Sequence, residues 1–213
     1  MEYTDACVYP LPNGDSSLRR MAIEARDLGF DSIVAAGVEG GSYRGVEIVG
    51  GILASAKEIR EVQAIARRST SSPVLLMASA GPYSLNRALI QTGGVRVIRE
   101  IHTTPKNSFD HILSRIAAER QVAVDLDLSL IVRERGYLRQ KVLQRYSDIV
   151  ILHEKFGFPL TISSGARSIL EMKSRRDMVA LCSIFGLDRD GTLAALGSVN
   201  RVLNRQKPVE VVG

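Results

Sequence analysis

Tryptophan is absent and aromatic residues make up 5% of the 213-residue chain. That is a poor inventory for stacking successive bases, which argues against single-strand readout of that kind. No apolar run approaches the roughly 18 residues needed to span a bilayer, so no membrane partner is expected. The opening Met1-Glu2-Tyr3-Thr4-Asp5 carries an acid and no basic stretch, unlike a secretory signal. The two cysteines, Cys7 and Cys182, lack metal-type spacing and read as buried thiols in a reducing cytosol. Histidine is scarce, with His102, His111 and His153 and no His-x-His, which disfavours a histidine-rich metal centre. Gly-x-Ser-x-Gly, the Walker loop and Gly-x-Gly-x-x-Gly are all missing, so nucleophilic hydrolysis and nucleotide binding find no support.

What is present is arginine, 22 against 6 lysines, in a chain of net charge +5. Residues 1–65 hold six basic against ten acidic residues, a net of −4, and residues 66–213 hold twenty-two against thirteen, a net of +9. The planar guanidinium matches phosphate oxygens, so the bias suits a nucleic-acid backbone. A solvated surface with incidental arginine preference accounts for the same counts.

Apolar runs alternate with helical patterns. Strands are expected at Tyr3–Tyr9, Asp31–Ala36, Val46–Leu53, Val74–Ala78, Val95–Ile101, Val122–Leu128 and Leu160–Ser163. Helices are expected from a cap at Asp15 or Ser16 to Leu28, over Ser55–Arg68 and Ser84–Gln91, and from a cap at Asn107 or Ser108 to Glu119. A long helix over Leu138–Phe156 follows, then two or three helices to about Arg205 and a polar tail at 206–213. Gly40-Gly41-Ser42 and Ser69–Pro73 read as a loop and a turn. Strands interleaved with helices imply a single α/β domain over 1–213, with parallel strands and right-handed crossovers. A TIM-barrel-like barrel of seven or eight mostly parallel strands fits best, and a doubly wound open sheet is the alternative. The chain is short for an eightfold barrel of about 250 residues.

Asp125 and Asp127 fall on one face of the sixth expected strand. With Asp5 and His102 they would be the ligands of a metal phosphoesterase, and pairing of one or both with interior arginines near the strand ends is the favoured reading. Ser163-Ser164-Gly165-Ala166-Arg167-Ser168 follows the seventh strand, where barrels often cradle phosphate; an ordinary strand-to-helix turn is the plainer reading. Lys173-Ser174-Arg175-Arg176-Asp177 opens the next helix, and Arg133, Arg135, Arg139 and Lys141 surround Tyr137 after the sixth strand. Gathered on one side, Arg133, Arg135, Arg139, Lys141, Ser164, Gly165, Arg167, Lys173, Arg175 and Arg176 would form an RNA-binding face. A small-molecule phosphate-binding barrel enzyme is a third reading, for which no general acid or base stands out.

Phe109-Asp110-His111-Ile112-Leu113, Val122-Ala123-Val124-Asp125-Leu126-Asp127-Leu128 and Gly136-Tyr137 with its basic helix follow in a specific order. Phe158-Pro159-Leu160-Thr161-Ile162-Ser163-Ser164-Gly165-Ala166-Arg167-Ser168, Ser174-Arg175-Arg176-Asp177 and Phe185-Gly186-Leu187 continue it. Together they resemble the archaeal ribonuclease P protein component 3 family and its eukaryotic thirty-kilodalton relative. The likeness is firm over about 107–190 and weaker over 1–106. Arg167 stands where many members have lysine, and Arg175 replaces a proline, so Arg176 carries over better. The resemblance implies a barrel related to the polymerase-and-histidinol-phosphatase metal hydrolases, and a role in removing the 5′ leader from precursor tRNA. It implies as partners the ribonuclease P RNA, precursor tRNA and other protein subunits. It also implies that the RNA, assisted by Mg²⁺, carries the catalysis, with no cofactor bound tightly by this chain. Hydrolytic relatives carry His-x-His after the first strand, where this chain reads Asp5-Ala6-Cys7-Val8-Tyr9-Pro10.

Overall fold

The computed structural model describes residues 2–55, 59–68 and 74–204. The expected turn at 69–73 and the tail at 206–213 lie outside these residues. Seven parallel strands, β1 (Thr4–Val8), β2 (Ser32–Ala36), β4 (Val46–Ala54), β5 (Val74–Ser79), β6 (Val95–Arg99), β7 (Ala123–Asp127) and β8 (Leu160–Ser163), lie side by side in that order. They match the seven expected strands to within two residues at each end. The sheet closes where Tyr9 N–H donates to the Ala166 carbonyl at 2.8 Å and Gly165 N–H to that of Cys7 at 3.1 Å. The result is a barrel, not an open sheet.

Helices cover most crossovers. α1 (Leu18–Asp27) links β1 to β2, α2 (Ile59–Arg68) lies between β4 and β5, and α3 (Tyr83–Gln91) links β5 to β6. α4 (His111–Arg120) precedes β7, and α5 (Ser129–Arg133) with α6 (Gly136–Phe156) precedes β8. The link from β2 to β4 has no helix. Gly41–Tyr43, expected as loop, forms strand β3 antiparallel to β4. Its residues are exposed or half-buried, so no apolar alternation marked it. Caps settle the helix starts. Ser17, not Asp15 or Ser16, accepts the Arg20 amide. Asp110, not Asn107 or Ser108, accepts the amides of Ile112 and Leu113 at 3.0 Å each. Residues 106–108 instead form a single 3-10 turn.

Strand alternation sorts the apolar residues into two layers. Ile33, Leu76, Ile98, Val124 and Ile162 face outward under the helices. Val34, Val49, Leu75, Met77, Val97 and Ala123 fill the barrel interior. Three short helices, α7 (Arg175–Ser183), α8 (Arg189–Leu196) and α9 (Val199–Leu203), complete the described chain. Val199 and Val202 of α9 join the interior layer. The Ser198 hydroxyl donates to the Leu160 carbonyl at the start of β8, and Asn200 to Glu2 ahead of β1. α9 therefore packs across the end of the barrel where the strands begin, and the opposite end is the mouth.

Candidate functional site: the barrel mouth and its basic rim

Along β6, Val97 and Arg99 are two residues apart and share the interior face. On β7, Asp125 and Asp127 do the same. Adjacent strands thus aim one guanidinium at two carboxylates. Arg99 Nε donates to Asp125 Oδ2 at 2.9 Å and Nη2 to Asp127 Oδ2 at 3.1 Å. Nη1 donates to Tyr9 Oη at 2.8 Å and to Cys7 Sγ at 3.2 Å. Asp125 also accepts from Thr161 at 3.0 Å and Ser163 at 2.7 Å. The Arg99 and Asp125 side chains are only 5% and 1% exposed. Burial disfavours the Arg99 charge, but Cys7, Asp125, Tyr9 and Asp127 around it hold its pKa well above the ordinary value. Burial pushes the Cys7 thiol and the Tyr9 phenol up to about 12 each, so both stay protonated near neutrality. The pairing of Asp125 and Asp127 with interior arginine matches the structural reading of those two acids. Sequence reasoning missed Arg99 itself, although an arginine in phase with Val97 on an alternating strand was the available signal.

The Ser163–Arg167 loop is no phosphate cradle. Its amides are already used. Ser164 N–H donates to Asp5 Oδ1 at 2.9 Å, Gly165 N–H to the Cys7 carbonyl at 3.1 Å, and Ala166 N–H to Ser164 Oγ at 3.2 Å. Arg167 N–H donates to Glu171 Oε2 at 2.8 Å. Ser164 and Gly165 are also buried, so neither meets RNA at the surface as expected from sequence. Their role is closure. Gly165 has φ +60°, and an added Cβ would stand 2.3 Å from Asp127 Oδ1. Asp5 pays for that closure with an Oδ2 that is buried without a partner, and burial raises its pKa to about 7.

The expected basic residues divide into groups. Arg133 and Arg167 meet at Glu171, whose Oε2 accepts Arg133 Nη2 at 2.7 Å as well as the Arg167 amide. Partial burial opposes the Glu171 charge, but these bonds outweigh it and lower the pKa. The Lys173 ammonium donates to the Glu171 carbonyl. The Arg167 guanidinium lies 4.6 Å from the Tyr9 ring centroid and donates to the Asn13 carbonyl at 2.8 Å. Arg135, Arg139 and Lys141 stand at the start of α6. Arg139 Nε donates to the Glu134 carbonyl at 2.7 Å, and exposed Arg135 and Lys141 make no ion pair with described residues. Exposed Tyr137 stands among them.

Arg175 belongs elsewhere. Its guanidinium lies 4.5 Å from the Tyr3 ring centroid and packs on Gly29. Tyr3 precedes β1 and Tyr9 follows it, and five strand residues span about 16 Å. Arg167 and Arg175 therefore mark opposite ends of the barrel, and the single face expected from sequence is split. Ser174 and Asp177 form a reciprocal cap that starts α7 beside Arg175, leaving Arg176 exposed.

The four residues of the metal reading do not assemble a centre. Arg99 already takes the carboxylate positions on Asp125 and Asp127 that a cation would take. His102 lies in a 3-10 turn with its ring edge-on to Tyr146, centroids 6.4 Å apart, and its buried Nδ1 has no partner. Burial lowers its pKa. Among the described residues no group of three or more His, Cys, Asp and Glu is placed to hold a metal ion.

Residues 2–208 match the model of the family described as RNase P subunit p30. Ribonuclease P protein component 3 of Methanococcoides burtonii is 26% identical over 209 residues, covering 91% of this chain and 83% of the relative. That of Methanothermobacter thermautotrophicus is 30% identical over 143 residues, covering 67% and 58%. A chain of archaeal ribonuclease P, solved by cryo-EM with mature tRNA, superposes with a TM-score of 0.77 at 15% identity, covering 94% of this chain and 89% of that one. A histidinol phosphate phosphatase from Lactococcus lactis, solved with zinc, L-histidinol and phosphate, gives 0.58 at 12% identity, covering 87% and 94%. At these identities the two structures speak for the barrel fold alone.

Proposed function

This chain belongs to the RNase P subunit p30 family, and from that premise we propose that it serves as a protein subunit of ribonuclease P, the ribonucleoprotein that removes the 5′ leader from precursor tRNA. The family match over residues 2–208 carries the reading. The partners are the ribonuclease P RNA, precursor tRNA and further protein subunits. The bond-breaking rests with the RNA and its Mg²⁺, and this chain supports it without binding a cofactor tightly.

The chemistry of the mouth supports that division of labour. The buried thiol and phenol there are protonated and committed to Arg99, so neither is poised as a nucleophile. Basic groups outside the mouth are available to a polyanion. Arg135, Lys141 and Arg176 are exposed and free of ion pairs with described residues, so binding phosphate would not require them to break one. Because these groups lie at the start of α6 and on α7, contact with RNA runs along the outside of the barrel rather than into its mouth.

Reconstitution tests the reading. Leader cleavage is measured at limiting Mg²⁺ with the RNA and the other subunits, with this chain present, omitted, or carrying Arg176→Ala. Omission is expected to slow cleavage strongly and Arg176→Ala partially. Equal rates in all three would refute the assignment.

A further inference from the structure

We infer that Arg99 is a resident cation of the barrel mouth, a charge supplied by the chain itself that fills the place between Asp125 and Asp127 and so excludes a divalent metal. This inference stands independently of the ribonuclease P assignment.

Four observations carry it. The guanidinium is contacted at once from β1 and the residue after it, from β7 and from β8, through Cys7, Tyr9, Asp125, Asp127 and Ser163, as a bound ion would be. It is sealed in, with a side chain 5% exposed, so its charge answers the two carboxylates and not the solvent. Its planar fork meets Asp125 and Asp127 on separate nitrogens, at 2.9 and 3.1 Å. A metal held by oxygen ligands at about 2.0–2.6 Å would need the same oxygens on one centre, which the fork obstructs. Finally, Asp5 Oδ2, on the same interior face of β1 as Cys7, is fully buried without a partner. The interior thus holds acidic oxygen beyond what one guanidinium satisfies. Remove the guanidinium, and the acids face one another with no counter-charge. They must then take up protons or a hard cation.

The inference predicts opposite responses to metal in two variants of one residue. Arg99→Lys keeps a charge in the mouth. Arg99→Ala removes it. Thermal unfolding of the full chain is followed with EDTA and with Mn²⁺, and bound Mn²⁺ is counted by electron paramagnetic resonance. The wild-type chain and Arg99→Lys should hold no stoichiometric Mn²⁺ and show the same Tm in both conditions. Arg99→Ala should melt earlier in EDTA, recover several degrees with Mn²⁺, and bind the ion near-stoichiometrically. Arg99→Ala combined with Asp125→Asn should lose that response, which separates the mouth from adventitious surface sites. If Arg99→Ala does not fold in EDTA, recovery of folded protein on refolding with Mn²⁺ is the supporting result. A wild-type chain stabilised by Mn²⁺, an Arg99→Ala chain indifferent to it, folded or not, or a double variant that still responds would each overturn the inference.

Discussion

The Asp5 carboxylate accepts the Ser164 amide at 2.9 Å, tying β1 to the end of β8 by a side chain as well as by backbone. The same oxygen accepts the Cys7 amide at 3.3 Å, and both bonds favour the ionised form. Full burial opposes it more strongly and lifts the pKa from 3.8 to about 7.

Stability should therefore depend on pH through Asp5. Between its unfolded pKa of about 4 and its folded value of about 7, the native chain keeps a proton that the unfolded chain releases. The contribution of this group is complete below pH 4 and is lost as pH rises through 7. Asp5→Asn removes the titration. Relative to that variant, the wild-type chain should lose stability from pH 4.5 to 8, by about 3 kcal/mol for this shift. Urea unfolding of both chains across this range checks it, and a constant difference would contradict it.

Gly165→Ala should act through folding and not through lost RNA contact. A methyl group would drive into Asp127 Oδ1 and Ser129 Oγ, and φ +60° disfavours any side chain there. The expected cost is about 2–4 kcal/mol, seen as a lower Tm of the isolated chain. A wild-type Tm with weakened RNA binding would show that this loop works at the surface after all.

The exposed basic residues should show the reverse behaviour. Arg135→Ala, Lys141→Ala and Arg176→Ala are expected to leave stability within about 0.5 kcal/mol. Each that touches a phosphate should lower the salt slope of RNA binding by about one. Arg175→Ala, which removes the stack on Tyr3, should cost about 0.5–1 kcal/mol of stability instead. Filter binding at several salt concentrations, beside thermal melts, separates the two classes.

Arg99 and Asp125 should prove strongly coupled. Asp125→Asn or Arg99→Met alone leaves a buried charge without its partner, at a cost of about 3–5 kcal/mol each. The double variant should fall short of the sum by at least about 1 kcal/mol. Denaturant titration of the four chains gives the coupling, and strict additivity would mean that the contact contributes nothing.

The barrel was legible because its seven strands are short apolar runs bounded by glycine, proline and polar turns, with helical periodicity between them. β3 was not, since Gly41–Tyr43 buries too little to carry a pattern. The site was legible only in pieces. Asp125 and Asp127 stood out as a strand pair, but their partner lies 26 residues earlier, a separation no local pattern spans. The basic clusters were visible as composition, yet nearness in sequence misled about nearness in space. Arg167 and Arg175 are eight positions apart, and the chain between them descends the length of a strand. Ser164 and Gly165 looked like ligand-facing small residues. Gly165 is small because the barrel seam leaves it no room, and Ser164 is buried in that seam.

The seam where β1 meets the segment after β8 joins residues as far as 159 positions apart. During synthesis β1 can pair with β2 early, but its other edge stays open until most of the chain has left the ribosome. Loop-closure entropy must be overcome before that contact gives anything back. The nascent chain thus carries an uncapped strand edge through the synthesis of the next 159 residues, and that exposure lengthens with elongation time whatever the stability of the finished barrel.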